Sequence, residues 1–263
     1  MKVLVLGGTR FFGVHMVNSL LSKGHNVTIA TRGNATDTFG QKVQRITIER
    51  TSAESLAKAI SNLHFDVVCD NLAYSSNDVK HLLDSIRCGR YIMTSSASVY
   101  ANQHLHTKVS EFDSFSYALK WCSRDDYPYQ EVKRQAESAL FQEYPQFSAV
   151  AVRFPFVIGE DDYTQRLYFY VEQTIKGNPM NLDNLNEQIS FIRSTEAGEF
   201  LAWIAEQNFV GTINGNSIGT ISLQEILNYI KEKTGKQAII SDDGFEGPDR
   251  KSTRLNSSHI TIS

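Results

Sequence analysis

The sequence predicts an α/β protein in which a doubly wound parallel sheet carries a small carboxy-terminal lobe. Two observations lead to this prediction. Short β-branched runs alternate with amphipathic helical patterns in the amino-terminal part of the chain, and glycines directly follow the first run. Strands that alternate with helices form parallel sheets with right-handed crossovers, and ligands bind beyond the carboxyl ends of such strands. We therefore expect the functional residues in the loops at that edge.

Each predicted element rests on hydrophobic periodicity and on end signals. Val14, Val17 and Leu21 recur at helical spacing, and Gly24 follows as a carboxy-terminal cap. Ser222 starts a capping-box pattern in front of a late apolar stripe. The predicted strands are residues 3–6, 27–31, 45–48, 67–69, 91–94, 149–152 and 189–192 and a strand around 212, and the later helices are 164–176, one from 195 and one from 222.

The order of the predicted strands and helices divides the chain into three parts. Residues 1–160 are predicted to be the nucleotide-binding domain, and residues 161–248 a smaller substrate-side lobe interleaved with the sheet. Residues 249–263 lack periodicity and resemble the translation of a sequencing-library adapter. We expect this tail to be non-native and the natural reading frame to be truncated near Pro248, so the tail is left out of the fold prediction.

Composition narrows the class of function. A net charge of −3 and a pI near 6.2 provide no global attraction to nucleic acid or anionic lipid. Cys69, Cys88 and Cys122 stand far apart without metal-ligand spacing, so we expect reduced thiols, no metal site and a cytoplasmic protein. The apolar start is too short for a signal peptide, and no segment is long enough to cross a bilayer.

A glycine-rich loop follows the first predicted strand. Gly7 and Gly13 bracket the segment GGTRFFG, where missing side chains let phosphate approach backbone N–H groups at a helix amino terminus. Arg10 occupies the middle place of the glycine spacing, so an ordinary glycine-rich turn stays an alternative. In a Rossmann-like domain the cofactor contacts in this loop would be Gly7, Thr9, Arg10, Phe11, Phe12 and Gly13.

The end of the second predicted strand favours NADP over NAD. Sites that prefer NAD usually place a carboxylate there for the ribose hydroxyls, whereas this chain has Thr31 followed by Arg32. Arg32, helped by Arg10, can pair with a 2′-phosphate through charge-assisted hydrogen bonds. We also expect Ala73, after the fourth strand, to pass close to the cofactor.

Tyr129 and Lys133 form a YxxxK pair, which places phenol and ammonium one helical turn apart. This spacing is weak evidence by itself, since Tyr229 and Lys233 repeat it on the late helix, where we interpret it as surface decoration. Ser96 distinguishes the first pair, because it ends an apolar strand aimed at the same cofactor.

The three side chains fit proton transfer coupled to hydride transfer. A phenol of ordinary pKa, about 10, is a poor base at neutral pH, and we expect the ammonium of Lys133 to lower that pKa. Ser96 would orient a substrate hydroxyl or carbonyl while Tyr129 passes the proton. The structural alternative is an exposed Tyr–Lys pair beside serines that only cap a turn.

The motifs GGTRFFG, SSASVY, YQEVKRQAE, RFPFVIG and FIRSTEAGEF together resemble those of the extended short-chain dehydrogenases/reductases of the NAD-dependent epimerase/dehydratase group. GGTRF is similar to a branch that includes chloroplast stem-loop RNA-binding proteins. The resemblance covers residues 1 to about 240 and implies Ser96, Tyr129 and Lys133 as the catalytic group. It also implies cofactor contacts from Pro155 and Phe156 beside the nicotinamide. Relatives often form homodimers, so a homodimer is one alternative for the oligomeric state.

Departures from the family pattern fall on the substrate side. Phe156 stands where sugar-nucleotide epimerases commonly carry Asn, so a nucleotide-sugar substrate is left open. Ala97 and Ser98 occupy the place of the extra acid/base pair of dehydratases, which favours epimerase or simple reductase chemistry. Asp162, Tyr163 and Arg166 can line a pocket for a polar or anionic substrate, and the alternative is a plain helix start.

Two classes of function follow. The first is an NAD(P)-dependent oxidoreductase or epimerase that acts on a carbohydrate-like alcohol or ketone, a small-molecule substrate. The second is a non-catalytic protein that uses the same fold to bind a cofactor or RNA, which fold alone does not exclude. The acidic pI and the lack of a Lys/Arg stripe count against RNA.

Overall fold

The fold is described by a computed structural model that covers residues 1–34 and 36–246. The strands are β1 (Lys2–Leu6), β2 (Asn26–Thr31), β3 (Gln44–Thr47), β4 (His64–Asp70), β5 (Arg87–Ser96), β6 (Ser148–Phe154), β7 (Phe156–Ile158), β8 (Pro179–Asn181), β9 (Gln188–Ile189), β10 (Phe191–Arg193), β11 (Gly211–Asn214), β12 (Ile221–Ser222), β13 (Ile239–Ile240) and β14 (Phe245–Glu246). The helices are α1 (Phe12–Ser22), α2 (Ala53–Ile60), α3 (Ser76–Leu83), α4 (Tyr129–Glu143), α5 (Arg166–Lys176), α6 (Ser194–Ile204) and α7 (Leu223–Thr234).

In the described residues, the central sheet has seven strands in the order β11-β6-β5-β4-β1-β2-β3. All of its neighbouring strands pair in parallel. The strand order reverses between β1 and β4, and ligands bind at such a switch point, outside the carboxyl ends of the strands. The predicted α/β class and parallel sheet are therefore confirmed.

The alternation of side chains along β1 shows how both faces of the sheet are buried. Val3 and Val5 pack with α1 and α6 on one face, whereas Leu4 and Leu6 pack with α2, α3 and α4 on the other. Successive strand residues point to opposite faces, so a continuous apolar run marks a strand covered on both sides. Helices on both faces make the fold doubly wound.

The carboxy-terminal part of the chain contributes to two different bodies. Helix α6 packs against α1, and β11 extends the central sheet beside β6. The remaining elements form a separate cluster around Tyr170 of α5, Met180 of β8 and Leu227 of α7. The lobe is thus built from α5, α7 and short strands, and its sequence is interleaved with that of the sheet.

The predicted element bounds differ from the structure at two places. The predicted strand 189–192 is two short strands: β9 pairs with β12, whereas β10 pairs with β7. Ser190 lies between them, and the chain changes sheets there, which an apolar run cannot indicate. The predicted strand 91–94 is the middle of β5. The prediction is too short because both ends of β5 are polar and carry no apolar signal. The predicted non-native tail, residues 249–263, lies outside the described residues.

Two end signals in the sequence are confirmed. Gly24 has a φ of +78° directly after α1, and its N–H donates to the Leu21 carbonyl. Ser222 caps α7 and forms the predicted capping box with Glu225. Among the described helices, none has the length and apolarity that a membrane crossing requires.

Candidate active site

The glycine loop after β1 packs too tightly for side chains. A Cβ on Gly13 would lie 2.1 Å from the Gly7 carbonyl oxygen, and Gly7 itself has a φ of +80°. Phe11, which precedes α1, also has a positive φ, 51°, a conformation that costs a non-glycine residue about 1 kcal/mol or more. This strained conformation places the loop backbone at the amino terminus of α1, where phosphate groups bind well.

A groove of about 530 Å³ runs from this loop across the carboxyl ends of β1, β2 and β3. Four arginines and one carboxylate, that of Glu49, line it. The residues of its lining that the sequence also predicts are Gly7, Thr9, Arg10, Phe11, Phe12, Thr31 and Arg32. A groove with this excess of guanidinium groups fits a ligand that carries several phosphates.

The four arginines differ in how they are held. Arg50 is buried and donates to Asp70, at 2.5 Å, and Arg124 donates to Asp78, at 3.0 Å, so acidic partners balance both charges. Arg32 is exposed, and its guanidinium has no hydrogen-bond or ion-pair partner in residues 1–34 and 36–246. Arg10 is exposed too, with its guanidinium 6.0 Å from the Tyr163 ring centroid. Arg32 and Arg10 therefore present their charge to the groove.

A second cavity, of about 340 Å³, adjoins the groove on the side of β5 and β6. Phe11, Phe12, Asn71, Tyr74 and Tyr163 line both spaces, so the two form one continuous site. Its other lining residues include Ser96, Tyr129, Lys133, Pro155 and Phe156. The structure thus brings the predicted catalytic residues together beside the predicted cofactor groove.

Ser96 and Tyr129 meet where β5 ends and α4 begins. Ser96 is the last residue of β5, and Tyr129 is the first residue of α4, directly after Pro128. The Ser98 hydroxyl donates to Ser96 Oγ at 2.9 Å, and Ser96 lowers the pKa of the Tyr129 phenol. A serine and a phenol that line one cavity can hold one oxygen atom of a substrate between them.

Lys133 lies one turn further along α4 and is 3% exposed. Its Nζ donates to the carbonyl oxygens of Ala73, at 2.8 Å, and Thr94, at 2.9 Å. Burial lowers the pKa of Lys133 to about 8, although the negative charges of Asp70 and Asp78 raise it. The ammonium therefore ties α4 to the ends of β4 and β5.

The expected effect of Lys133 on the phenol is not found. Burial raises the pKa of Tyr129 to about 12, Tyr74 raises it further, and the groups that lower it are Ser96 and Arg166. The reason is geometric, because Lys133 Nζ is held by two carbonyls and lies 6.0 Å from the Tyr129 ring centroid. The cation beside the phenol on the substrate side is Arg166.

A buried ion pair supports the site from behind. Glu137 of α4 and Arg153 of β6 are both fully buried, and Arg153 Nη2 donates to Glu137 Oε2 at 2.6 Å. Ser95 also donates to Glu137, and Arg153 donates to the Tyr100 hydroxyl at 3.1 Å. Breaking one partner of such a pair costs about 3–5 kcal/mol. This network fixes α4 against the strand end that carries Ser96.

The substrate-side loop after β7 brings two of its three predicted residues to the cavity. Tyr163 and Arg166 line the catalytic cavity, whereas Asp162 does not. The Asp162 carboxylate accepts from the backbone N–H of Thr164, at 2.9 Å, and from its hydroxyl, so it forms a turn. Thr164 Oγ1 in turn accepts from Arg166 Nη1 at 2.9 Å. Asp162 thus connects to the cavity through Thr164 and Arg166.

Two predicted cofactor residues contribute through packing or backbone. Ala73 is fully buried, and it offers its carbonyl oxygen to Lys133 and no side-chain surface to the site. Gly13 does not line the groove, and its role is the close contact with Gly7 that shapes the loop. Proximity along the sequence predicted both positions, but only coordinates separate a lining residue from a supporting one.

One family model matches the amino-terminal part of the chain. Residues 3–81, which carry the glycine loop and the strand with Asp70, match the model described as the NAD dependent epimerase/dehydratase family. This segment is similar to that family. The resemblance predicted from the motifs is thereby confirmed.

Two curated relatives from Arabidopsis thaliana extend the similarity beyond that segment. The chloroplast stem-loop binding protein of 41 kDa b is 24% identical over 204 residues, which are 72% of this chain and 50% of the relative. UDP-glucuronic acid decarboxylase 1 is 23% identical over 270 residues, covering 91% of this chain and 60% of the relative. This chain thus spans about half of the length of these relatives.

Solved structures of epimerases share the fold. UDP-glucose 4-epimerase from Thermotoga maritima, solved with UDP-glucose, superposes with a TM-score of 0.74 at 15% identity. The alignment covers 100% of this chain and 89% of that epimerase chain. UDP-glucuronic acid 4-epimerase from Bacillus cereus, solved with UDP-glucuronic acid and NAD, has a TM-score of 0.69 at 18% identity, with coverages of 92% and 85%. These likenesses establish the Rossmann-type fold.

Several residues that line the site were missed in the sequence. Arg50 and Arg124 line the groove, and Gln103 lines the second cavity. Arg50 lies three residues after β3, and Arg153 interrupts the apolar strand β6, so a charge near or within a buried run was a usable signal. Gln103 sits in a long polar loop, where no pattern distinguishes it from its neighbours.

Proposed function

We propose that this chain is an NAD(P)-dependent oxidoreductase or epimerase that acts on a carbohydrate-like alcohol or ketone. The observation that carries the proposal is the meeting of Ser96, Tyr129 and Lys133, from distant segments, in one cavity continuous with the arginine-lined groove. The UDP-sugars named in the structures of similar fold support a sugar-like substrate. The identity of that sugar and the reaction subtype are left open by the proposal.

The residues divide the proton chemistry among them. A bound nicotinamide supplies the hydride, or accepts it, at the substrate carbon. With a pKa of about 12, the Tyr129 phenol keeps its proton at neutral pH and donates it to the oxygen of a carbonyl that is being reduced. The phenolate then regains a proton from solvent, and oxidation of an alcohol runs the same transfer in reverse.

Ser96 and Lys133 prepare this transfer. Ser96 lowers the pKa of the Tyr129 phenol and therefore lowers the cost of the phenolate. Lys133 donates to two carbonyl oxygens, and its ammonium group has a third N–H for a ligand at the cavity that it lines. We assign that N–H to the ribose hydroxyls beside the nicotinamide.

Cofactor preference follows from the charge at the end of β2. Arg32 is exposed to the groove, and Thr31 stands where a carboxylate would repel a 2′-phosphate. Two or more charge-assisted hydrogen bonds from Arg32 and Arg10 favour NADP(H) over NAD(H). Three structures of similar fold name NAD, so the proposed preference differs from what those structures contain.

Fluorescence titration with NADPH and NADH tests the cofactor assignment. We expect the wild type to bind NADPH roughly 10- to 100-fold more tightly than NADH, and Arg32→Ala to remove most of that difference. Arg87→Ala is the matched control, since Arg87 is exposed at the opposite end of β5. Equal affinities for the two cofactors in the wild type would show that the 2′-phosphate is not recognised.

A second candidate function is binding of a structured RNA. One observation favours it, the 24% identity with the chloroplast stem-loop binding protein. A titration of a stem-loop RNA at increasing salt separates the two functions, because phosphate contacts give a steep salt dependence. RNA binding that is indifferent to both Arg32→Ala and Tyr129→Phe, with no cofactor binding, would favour this candidate.

A further inference from the structure

Gln103 is a polar side chain in the catalytic cavity to which the mechanism above assigns no part. It lies in the loop that follows Ser96 and Ser98, and it lines the cavity with them. Its Nε2 donates to the Ala97 carbonyl oxygen at 2.9 Å. Ala97 follows Ser96 directly, so the carboxamide of Gln103 is fixed next to the serine that orients the substrate.

The hydrogen bond to Ala97 determines which end of the carboxamide faces outward. The Ala97 carbonyl oxygen is an acceptor and the NH2 group is the only donor of the carboxamide, so the amide nitrogen of Gln103 points to Ala97 and the oxygen points away. That oxygen, Oε1, is buried and accepts no hydrogen bond from any group in residues 1–34 and 36–246. A buried acceptor of this kind costs about 1–3 kcal/mol until a donor reaches it.

Aromatic side chains share the cavity wall with Gln103: Phe154 and Phe156 line the same cavity. Aromatic faces bind the C–H face of a sugar ring but give no hydrogen bond in its plane. Gln103 adds a buried hydrogen-bond acceptor to this wall.

From this juxtaposition we propose that Gln103 is a specificity-determining residue that accepts a hydrogen bond from a second substrate hydroxyl, on a carbon adjacent to the reacting one. The ligand class is a vicinal diol of a sugar ring, in which one oxygen meets Ser96 and Tyr129 and the next donates to Gln103 Oε1. The inference rests on the proposed function, which it makes more specific. A site built around a substrate hydroxyl rejects the analogue that lacks it, because its own polar group is then left unpaired.

Calorimetric titration in the presence of NADPH tests the proposal without turnover. The probes are UDP-glucose and its 2-deoxy, 3-deoxy and 6-deoxy analogues, each titrated into the wild type, Gln103→Leu and Gln146→Leu. Gln146 is exposed between α4 and β6, away from the cavity, and is the control for the substitution itself. Thermal melting checks that all three proteins are folded.

We expect one deoxy analogue to bind the wild type and Gln146→Leu roughly 10- to 100-fold more weakly than UDP-glucose, and Gln103→Leu to bind both within about threefold. The inference is overturned if the wild type binds all four probes equally, if it binds none of them, or if Gln103→Leu keeps the same discrimination. The proposed function fails separately, when the Tyr129→Phe protein retains full turnover.

Discussion

The chain contains two tyrosine–lysine pairs with identical spacing, and the structure gives them opposite surroundings. Tyr129 and Lys133 begin α4 at the cavity wall, and Lys133 is 3% exposed. Tyr229 and Lys233 lie on α7, where the tyrosine is 59% exposed and the lysine side chain 55%. The interpretation of the second pair as surface decoration is therefore confirmed.

The partners of the two lysines explain the difference. Lys133 donates to two carbonyl oxygens at the ends of neighbouring strands, and its pKa falls to about 8 because the site is buried. Lys233 pairs at 2.9 Å with the adjacent Glu232 and lies 5.1 Å from the Tyr229 ring centroid, all on the helix surface. Burial against strand ends, and not the YxxxK spacing, distinguishes a reactive pair from a solvated one.

The largest contrast is expected in turnover. Tyr129→Phe removes the proton donor and should lower kcat by roughly 10²- to 10⁴-fold while cofactor binding persists. Tyr229→Phe removes an exposed hydroxyl and should leave kcat within about twofold, since it touches neither cavity. Steady-state rates with NADPH and the sugar substrate measure both. Equal losses of kcat in the two variants would contradict the difference between the pairs.

The next contrast concerns the pH dependence of stability. The folded protein releases the Lys133 proton near pH 8, whereas the unfolded chain keeps it until about 10.5. Between these values the unfolded state binds more protons, so the free energy of unfolding rises with pH, by up to about 3 kcal/mol from this group. Below pH 8 Lys133 is charged in both the folded and the unfolded state, so the free-energy cost of burying that charge no longer changes with pH.

Urea unfolding between about pH 7 and about pH 10 tests this rise of the free energy of unfolding with pH. Lys133→Met should remove the rise that Lys133 contributes, and Lys233→Met should keep the wild-type profile. Parallel profiles for the wild type and Lys133→Met would mean that the ammonium is not held at a lowered pKa.

The smallest contrast separates structural from catalytic roles on α7. Ser222→Ala removes the side chain that accepts from the Glu225 N–H at 3.1 Å and caps the helix that carries the second pair. We expect a loss of about 1 kcal/mol in stability and no change in kcat. Thermal melts and rates on the same preparation measure both; a fall in kcat with unchanged melting would place α7 in the catalytic machinery.

The sheet could be predicted from sequence because β1, β2, β4, β5 and β6 contain apolar runs that are buried on both faces, with glycine and polar turns between them. The change of sheet at Ser190 could not be predicted, since pairing partners, and not local composition, decide where β9 ends and β10 begins. The same limit applies to β11, whose place beside β6 depends on contacts across the fold.

The candidate site was predictable where position along a strand determines position in space. Ser96, Tyr129 and Arg32 follow from strand ends and helical spacing. Side-chain direction was not predictable: Asp162 turns back onto Thr164, and Lys133 is held by backbone carbonyls, so the expected lowering of the phenol pKa is not found. Gln103 was missed because its placement at the cavity depends on a single hydrogen bond to Ala97.

The segment that carries the family match ends at residue 81, before Ser96, Tyr129 and the Glu137–Arg153 ion pair. The matched segment and the rest of the site are therefore separate along the sequence, and they meet through Lys133, whose Nζ donates to the Ala73 carbonyl inside the match and to the Thr94 carbonyl beyond it. A match confined to residues 3–81 groups chains by their glycine loop and leaves Ser96 and Tyr129 uncompared.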